Sequence, residues 1–199
     1  SGYTVINSAN WAHSILYCKN IDVENVEVRA GHDGVHFTCC DNIRVTDCCF
    51  YTGDDCVAGF ENVNMTVTGC ECNTACSAFR LGGTNVFITK CHICGPAKYT
   101  FRGALSDEEK RSGITNSSNI GKRYNMLSVF TYTASFAFDI RYQPGNIVMT
   151  DCTVEHCDKL LHYNFSGNEI WQRHRPLANI HIENVKAQDL AMPSVIYGD

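Results

Sequence analysis

The residues best suited to chemistry in this sequence are three aspartates, Asp33, Asp54 and Asp55, which stand beside glycines in two short segments. Asp33 and Asp55 lie 22 residues apart, and 22 residues is also the length of the repeat around them. If equivalent positions of the repeat stack on one another, the carboxylates form one patch on one face. Their repulsion would raise the pKa of at least one, so that a proton is retained at mildly acidic pH. Such a pair can cleave a glycosidic bond, because one acid protonates the leaving oxygen while another carboxylate activates a water.

A turn-forming role for these aspartates is the alternative. Gly-Asp pairs are common in turns for purely structural reasons, and an isolated Gly53-Asp54-Asp55 would favour that role. Asp33 stands one repeat earlier and in register, so we favour the chemical interpretation.

The elements that must position these acids are short strands that begin with asparagine and recur along the chain. Each unit has an Asn, then alternating apolar residues, then turn residues, and an alternation of period two is typical of strands. The units begin at Asn20, Asn42, Asn64, Asn85, Asn146 and Asn179. The first steps are 22, 22 and 21 residues, which leaves no room for crossover helices. We therefore predict an all-β fold, a right-handed parallel β-helix with coils of about 22 residues stacked ~4.8 Å apart.

The repeat predicts one β-helix domain over residues 1–199, as part of a longer chain, because the sequence opens inside apparent strand sequence. No signal peptide is visible in the first residues, and an upstream one could have been lost. Residues 104–123 are polar and rich in serine and glycine, which predicts a long surface loop. Residues 164–175 form a second insertion between coils. Loops that long in a compact domain are often functional.

Composition narrows the choice of partners. The 199 residues are 44% hydrophobic and 19% charged, which suits a folded domain. A net charge of −5 gives no reason to expect nucleic acid, and no apolar run approaches the ~18 residues of a membrane span. The open end of a β-helix invites pairing, so missing residues or a partner subunit should cover it.

The 13 cysteines have two interpretations, a disulfide framework or buried free thiols. We favour free thiols, because Cys48, Cys70, Cys91 and Cys152 all occupy the repeat position where valine stands in other coils. The pairs Cys91-x-x-Cys94 and Cys70-x-Cys72 resemble metal-binding spacings. Because the repeat position explains them and no second pair lies at a zinc-finger distance, we expect neither a metal nor an organic cofactor.

The segment from Thr52 to Ala58, Thr-Gly-Asp-Asp-Cys-Val-Ala, resembles a signature of the family 28 glycoside hydrolases, the polygalacturonases. Asp33-Gly34 resembles the second half of another motif of that family, and the likeness is good over roughly residues 10–100. The resemblance implies an inverting hydrolase of galacturonan on a right-handed β-helix. It also implies that Asp54 is the general acid and that Asp33 and Asp55 hold and activate the water. A free-thiol core favours the cytoplasm, whereas the family favours secretion.

Several positions depart from the family pattern. Gly31-His32 replaces the family's Asn-Thr, and Cys76 stands where the family's motif histidine is expected. His32, one repeat before Asp54, would lie beside the acid and take over part of that role. Arg102 is the nearest candidate for the family's basic clamp, since a guanidinium group pairs well with a uronate. Arg80 follows Cys76 by four residues and would face the same cleft, although a structural role is slightly favoured for it.

The second insertion carries Trp171 and Arg173, an aromatic residue close to a cation. Aromatic faces stack on sugar rings and arginine binds carboxylates, so the insertion would form a wall of a substrate subsite. A packed loop is the alternative.

Two other functions fit the same fold. A polysaccharide lyase would abstract a proton with an arginine or lysine and use the aspartates as calcium ligands. A non-catalytic β-helix would bind carbohydrate or serve as a scaffold, which the missing histidine supports. The preferred prediction is a hydrolase of a uronate-containing, pectin-type polysaccharide or oligosaccharide.

Overall fold

The fold was obtained as a computed structural model that describes residues 1–102, 106–112, 124–134, 142–164 and 176–197. Strands in this part of the chain pair in parallel throughout, and each strand of the inner coils is bonded to strands one coil before and one coil after it. The coils therefore stack into three parallel sheets, and the prediction of a parallel β-helix is confirmed. Strand–connection–strand units of this kind turn right-handed almost without exception.

The three sheets are visited in turn by every coil. The first sheet contains β1 (Tyr3–Ile6), β4 (Val26–Ala30), β7 (Cys49–Thr52), β9 (Glu71–Thr74), β11 (His92–Cys94), the start of β14 (Thr153–Asn164) and β16 (Lys186–Leu190). The second contains β2 (His13–Leu16), β5 (Val35–Thr38), the starts of β8 (Val57–Thr68) and β10 (Ser77–Thr89), β12 (Met126–Tyr132), the end of β14 and β17 (Val195–Tyr197). The third contains β3 (Lys19–Glu24), β6 (Asp41–Thr46), the ends of β8 and β10, β13 (Gly145–Thr150) and β15 (Ala178–Glu183).

The core is built from apolar residues that stack from coil to coil. In the third sheet, one such row is made by Ile21, Ile43, Met65, Val86, Ile147 and Ile180. Phe37 and Phe50 are fully buried in the neighbouring sheets. Burying a side chain of that size stabilises the fold by about 1.5–3 kcal/mol, so the rows of large apolar residues hold successive coils in register.

An unbroken ladder of asparagines explains why each repeat begins with this residue. The side-chain amide of Asn42 donates to the Oδ1 atom of Asn20 over 3.0 Å. The same bond recurs at 3.0–3.1 Å between all later units, up to Asn179. Each of these asparagines has a φ between 53° and 59°, a left-handed conformation that asparagine tolerates better than most residues. The asparagines thus serve the turn and the stacking together.

The cysteines are free thiols, as predicted, and most of them are buried. Cys48, Cys70, Cys91 and Cys152 form a second ladder, in which each thiol donates to the carbonyl oxygen two residues before it over 3.2–3.5 Å. They behave as small apolar residues that stack inside the coil.

The two insertions lie largely outside the described residues. Of the first, residues 106–112 are described, and they contain a short helix, α1 (Asp107–Arg111), where a loop was predicted. Of the second, residues 165–175 are not described, and they include Trp171 and Arg173. The helix found in the described part of the chain is too short and too polar to cross a membrane.

Candidate active site

The aspartates lie where each coil turns from the first sheet into the second. This place, which we call the acid corner, consists of residues 31–34, 53–56 and 75–76 in successive coils. Backbone bonds tie these turns together, since the Gly34 amide donates to the Asp55 carbonyl over 2.9 Å. One carboxylate oxygen of Asp54, one of Asp55 and the Cys76 Sγ atom lie within 4.8 Å of one another. The coil stacking therefore brings Asp54 and Asp55 of the predicted patch together beside Cys76, and it places the turn that carries Asp33 against Asp55.

Asp55 is the most firmly held acid of the corner. Its side chain is only 3% exposed, and one oxygen accepts a hydrogen bond of 3.0 Å from the Ser77 amide. The other oxygen pairs with the Arg80 guanidinium group, whose Nε atom is 2.7 Å away. Burial raises the pKa of Asp55 to about 6, while Arg80 and the Ser77 amide act against this rise by stabilising the ionised form. Asp55 is thus ionised at neutral pH, with both oxygens oriented.

Asp33 is buried one coil earlier, and its neighbours favour its protonated form. Burial raises the pKa of Asp33 to about 9, and the charges of Asp55 and Asp54 contribute to the rise. Gly34, the next residue, is needed for close packing, because a Cβ atom there would come within 2.5 Å of the Phe50 ring. The tight turn thereby places Asp33 against the next coil and away from water.

Asp54 is the more accessible acid of the corner. It is half-buried, whereas Asp33 and Asp55 are each 2% exposed. Thr52 fixes its backbone through a bond of 2.7 Å to the Asp54 carbonyl oxygen, and Thr74 donates to the same oxygen. Burial raises the pKa of Asp54, against the opposing effects of Arg80 and of a hydrogen bond from Cys76. Asp54 therefore has both the exposure and the raised pKa that proton donation requires.

Cys76 stands where the motif histidine of the family 28 pattern is expected. Its half-buried thiol points at these acids. Burial raises its pKa well above the usual range, and the charges of Asp55 and Asp54 add to this effect. The thiol stays protonated, so it donates a hydrogen bond to Asp54 but cannot supply the positive charge that a protonated histidine would.

Arg80 reaches the corner from the second sheet. It lies beside Ala58, and Ala58 lies beside His36 in the same row of the sheet. His36 is 1% exposed and stacks flat under Trp11, with ring centroids 4.1 Å apart. Burial and the charge of Arg80 lower the pKa of His36 to about 4, so its imidazole is neutral.

A stretch that we call the strap, residues 96–102, folds back across the acid corner from a later coil. Asn73 anchors its start, because its side chain donates to the Pro96 carbonyl over 2.9 Å and accepts from the Lys98 amide over 2.8 Å. At its end, the Arg102 amide donates to the Gly31 carbonyl over 2.7 Å. Gly53 must lack a side chain here, because a Cβ atom would lie 2.0 Å from the Thr100 carbonyl oxygen.

The strap settles where two of the predicted substrate-binding residues lie. Arg102 is half-buried at the turn that carries Asp33, as a clamp near the acids requires. His32 packs edge-on against the Phe101 ring, with centroids 5.5 Å apart. Arg102 therefore borders the corner and His32 lies within it, and their roles there stay predictions.

Apart from Arg102, the sequence did not single out His36, Trp11 or the strap as parts of this site. His36 had a usable signal, since it stands one repeat before Ala58 and two before Arg80. The path of the strap had no signal in the sequence, because its contacts with earlier coils do not repeat.

The charge pattern of the corner suits proton transfer better than calcium binding. Calcium takes about 6–8 oxygen ligands, whereas both oxygens of Asp55 are already held by Ser77 and Arg80. A cation placed here would also be repelled by the guanidinium group. The lyase prediction is thus weakened at its calcium site.

Raising the pH from about 5 to about 8 is expected to lower the free energy of unfolding. An unfolded aspartate ionises near pH 4, whereas burial raises the pKa of folded Asp33 to about 9. The folded protein binds the proton more tightly, so this contribution to stability falls as the pH rises through that window. Urea unfolding across the pH range measures the trend. Asp33→Asn, which cannot ionise, should flatten it, and an unchanged slope in that variant would contradict the assignment.

Comparison with known proteins identifies relatives of parts of this chain. The sequence model of Glycosyl hydrolases family 28 matches residues 1–76, a segment that contains Asp33, Asp54, Asp55 and Cys76. An exopolygalacturonase of Arabidopsis thaliana is 26% identical over 161 residues, which are 75% of this chain and 33% of that protein.

Two shorter matches agree with this family. A probable polygalacturonase of Vitis vinifera is 35% identical over 63 residues, 29% of this chain and 13% of the relative. Polygalacturonase ADPG1 of Arabidopsis thaliana is 33% identical over 90 residues, 41% of this chain and 20% of the relative. The matched part of the chain thus spans a third or less of these curated relatives. No solved structure matches the chain.

Proposed function

Because the chain belongs to the polygalacturonase-like glycosyl hydrolases of family 28, we propose that it carries the acid–base centre of an inverting hydrolase of uronate-containing, pectin-type polysaccharides or oligosaccharides. The observation that carries the proposal is the buried pair between Arg80 and Asp55 inside the acid corner. This pair gives neighbouring carboxyl groups different protonation states, which glycoside hydrolysis requires.

The roles follow from exposure and charge. Asp54 is the general acid, since it is the accessible carboxyl group and burial raises its pKa. Asp55 is the base that accepts a proton from the attacking water, because Arg80 and the Ser77 amide stabilise its ionised form. Asp33 is protonated and orients the water from the buried side. Inversion then proceeds in one step, as the water attacks the face opposite the leaving oxygen.

Recognition of a uronate calls for a cation beside the acids. Arg102 supplies it in this proposal, because its planar guanidinium group can donate hydrogen bonds to both oxygens of the sugar carboxylate. Its backbone is fixed to Gly31 next to the acid corner. Trp11 is 40% exposed above His36 and offers a flat face on which a sugar ring can stack.

A lyase is less well supported than a hydrolase. The pairing with Asp55 raises the pKa of Arg80 against the effect of burial, so this guanidinium group is a poor base. A carbohydrate-binding module remains the second candidate, and the replacement of the family's histidine by Cys76 favours it.

The experiment that tests the proposal combines a substrate panel with product analysis. Oligogalacturonides and pectins are incubated with the longest chain that folds, and reducing ends, unsaturated products and binding are measured together. Release of reducing ends without near-ultraviolet absorption supports the hydrolase, whereas an unsaturated product indicates a lyase. Binding without turnover would establish the module instead.

The anomeric form of the first product is expected to be inverted. The measurement is proton nuclear magnetic resonance, recorded before the product mutarotates. One carboxylate oxygen of Asp54 lies within 4.8 Å of one of Asp55, whereas inverting enzymes usually separate acid and base by about 6.5–9.5 Å. The anomeric form therefore tests directly whether this pair acts by inversion. A retained anomer would show that Asp55 attacks the sugar as a nucleophile and would overturn the water mechanism.

A further inference from the structure

A second cluster of reactive side chains lies on the outer face of the first sheet, apart from the acid corner. Glu71 in β9 stands directly beside His92 in β11, one coil later. Cys94 lies two residues beyond His92, so its side chain projects from the same side of the strand. A carboxylate oxygen, an imidazole nitrogen and the Cys94 sulfur all come within 4.8 Å of one another.

We propose that Glu71, His92 and Cys94 form a zinc-binding site. Imidazole, thiolate and carboxylate are the ligands that zinc takes in proteins, and three protein ligands leave the fourth tetrahedral position for water. Sulfur and nitrogen donors also argue against calcium or magnesium, which prefer oxygen. The site is distinct from the proposed hydrolase centre and does not depend on that function.

Neighbouring side chains hold two of the three ligands in place. The Tyr51 hydroxyl donates to a carboxylate oxygen of Glu71 over 3.0 Å. The Asn73 amide group lies 3.8 Å from the Cys94 sulfur and also donates to the Cys94 carbonyl over 2.8 Å. Partners of this kind orient metal ligands in natural sites.

The surroundings of the proposed site affect the Cys94 thiol and give a metal ion access to the ligands. Burial and the charge of Glu71 raise the pKa of Cys94, while Asn73 and Lys98 act in the opposite direction. The Lys98 ammonium group lies 3.8 Å from the centre of the Tyr51 ring, so the aromatic face takes up part of its charge. His92 is exposed, which gives an ion direct access from solvent.

Asn73 connects the metal site to the strap, because the same side chain holds Cys94, Pro96 and Lys98. A bound ion would cross-link β9 and β11, the strands that flank this anchor. Zinc is therefore expected to protect the start of the strap against local opening.

Cobalt is the first probe, because its spectrum reports the ligands. Metal-free folded protein titrated with Co²⁺ should bind one ion, with visible bands of tetrahedral cobalt and a near-ultraviolet thiolate band. Zn²⁺ should displace it. Cys94→Ser should remove the thiolate band, and His92→Ala should weaken binding by more than the ~10–100-fold typical of losing an outer-shell partner.

Two matched variants control for the other thiols and histidines of the chain. Cys18→Ser and His181→Ala change an exposed cysteine and an exposed histidine at distant positions, and should leave the titration unchanged. Circular dichroism verifies that every variant is folded. No uptake by the folded wild type would overturn the proposal. So would uptake that survives both Cys94→Ser and His92→Ala, or uptake that is lost in Asp54→Asn, since the ion would then lie elsewhere.

Discussion

Replacing Asp54 by asparagine is expected to lower the rate of sugar release by about 100- to 10,000-fold, the usual contribution of a positioned general acid. The change removes only the proton that the leaving oxygen needs, so KM should stay close to the wild-type value. Stability should also be retained, because burial raises the pKa of Asp54 and a neutral side chain of the same shape costs no desolvation. Initial rates and urea unfolding of the same preparation measure both quantities.

Asp22→Asn is the matched control for this change. Asp22 is an exposed carboxylate on the third sheet, where it pairs with Arg44 over 2.6 Å, far from the acid corner. Its replacement should leave the rate unaltered. An Asp54→Asn enzyme that keeps more than about a tenth of the wild-type rate would show that another group donates the proton.

Replacing Arg80 by methionine is expected to destabilise the protein by about 3–5 kcal/mol at neutral pH, the range found when one partner of a buried ion pair is removed. Methionine preserves much of the side-chain volume, so the loss reports on charge: Asp55 remains buried without its counter-ion. Because burial raises the pKa of Asp55 to about 6 even beside Arg80, acidification should neutralise Asp55 and return part of the lost stability. Urea unfolding near pH 5 and near pH 7.5 tests both statements.

A double variant separates the pair from its individual members. Combining Arg80→Met with Asp55→Asn removes both charges, and the double variant should be more stable than Arg80→Met alone. Arg44→Met removes the exposed partner of Asp22 and should change the unfolding curve little. If Arg80→Met proves as mild as Arg44→Met, then the pairing with Asp55 does not organise the corner.

Much of the scaffold could be predicted because it repeats. An asparagine at the start of each unit, followed by alternating apolar residues, is sufficient to define strands, turns and their stacking. The same reasoning predicted the buried row that contains Cys48 and Cys70, since a residue at one position of a stacked repeat has its counterparts as neighbours. The same reasoning predicted that Asp33 and Asp55 occupy equivalent positions in successive coils. Periodicity transfers local information along the chain, so each coil helps to predict the next.

The contacts that the sequence could not reveal occur only once. Arg80 was assigned a slightly preferred structural role, because no rule of spacing says that a side chain in β10 bends toward Asp55. The proximity of Glu71 and His92 is visible only when strands from different coils are laid side by side. The strap is the extreme case, since a segment from a later coil returns to Gly31. These contacts depend on side-chain direction and chain reversal, and neither is encoded in a period.

The asparagine ladder has a consequence for how such proteins can change over evolutionary time. Asn85 and Asn146 are 61 residues apart and Asn146 and Asn179 are 33 apart, yet their amides meet at 3.1 Å, as in the uninterrupted coils. The ladder is therefore insensitive to what the chain does between two asparagines, provided that it returns to the row. Segments inserted at corners can lengthen, shorten or diverge without disturbing the stack that carries the acids. The inserted segments and the stack beneath them are thereby free to evolve as separate traits.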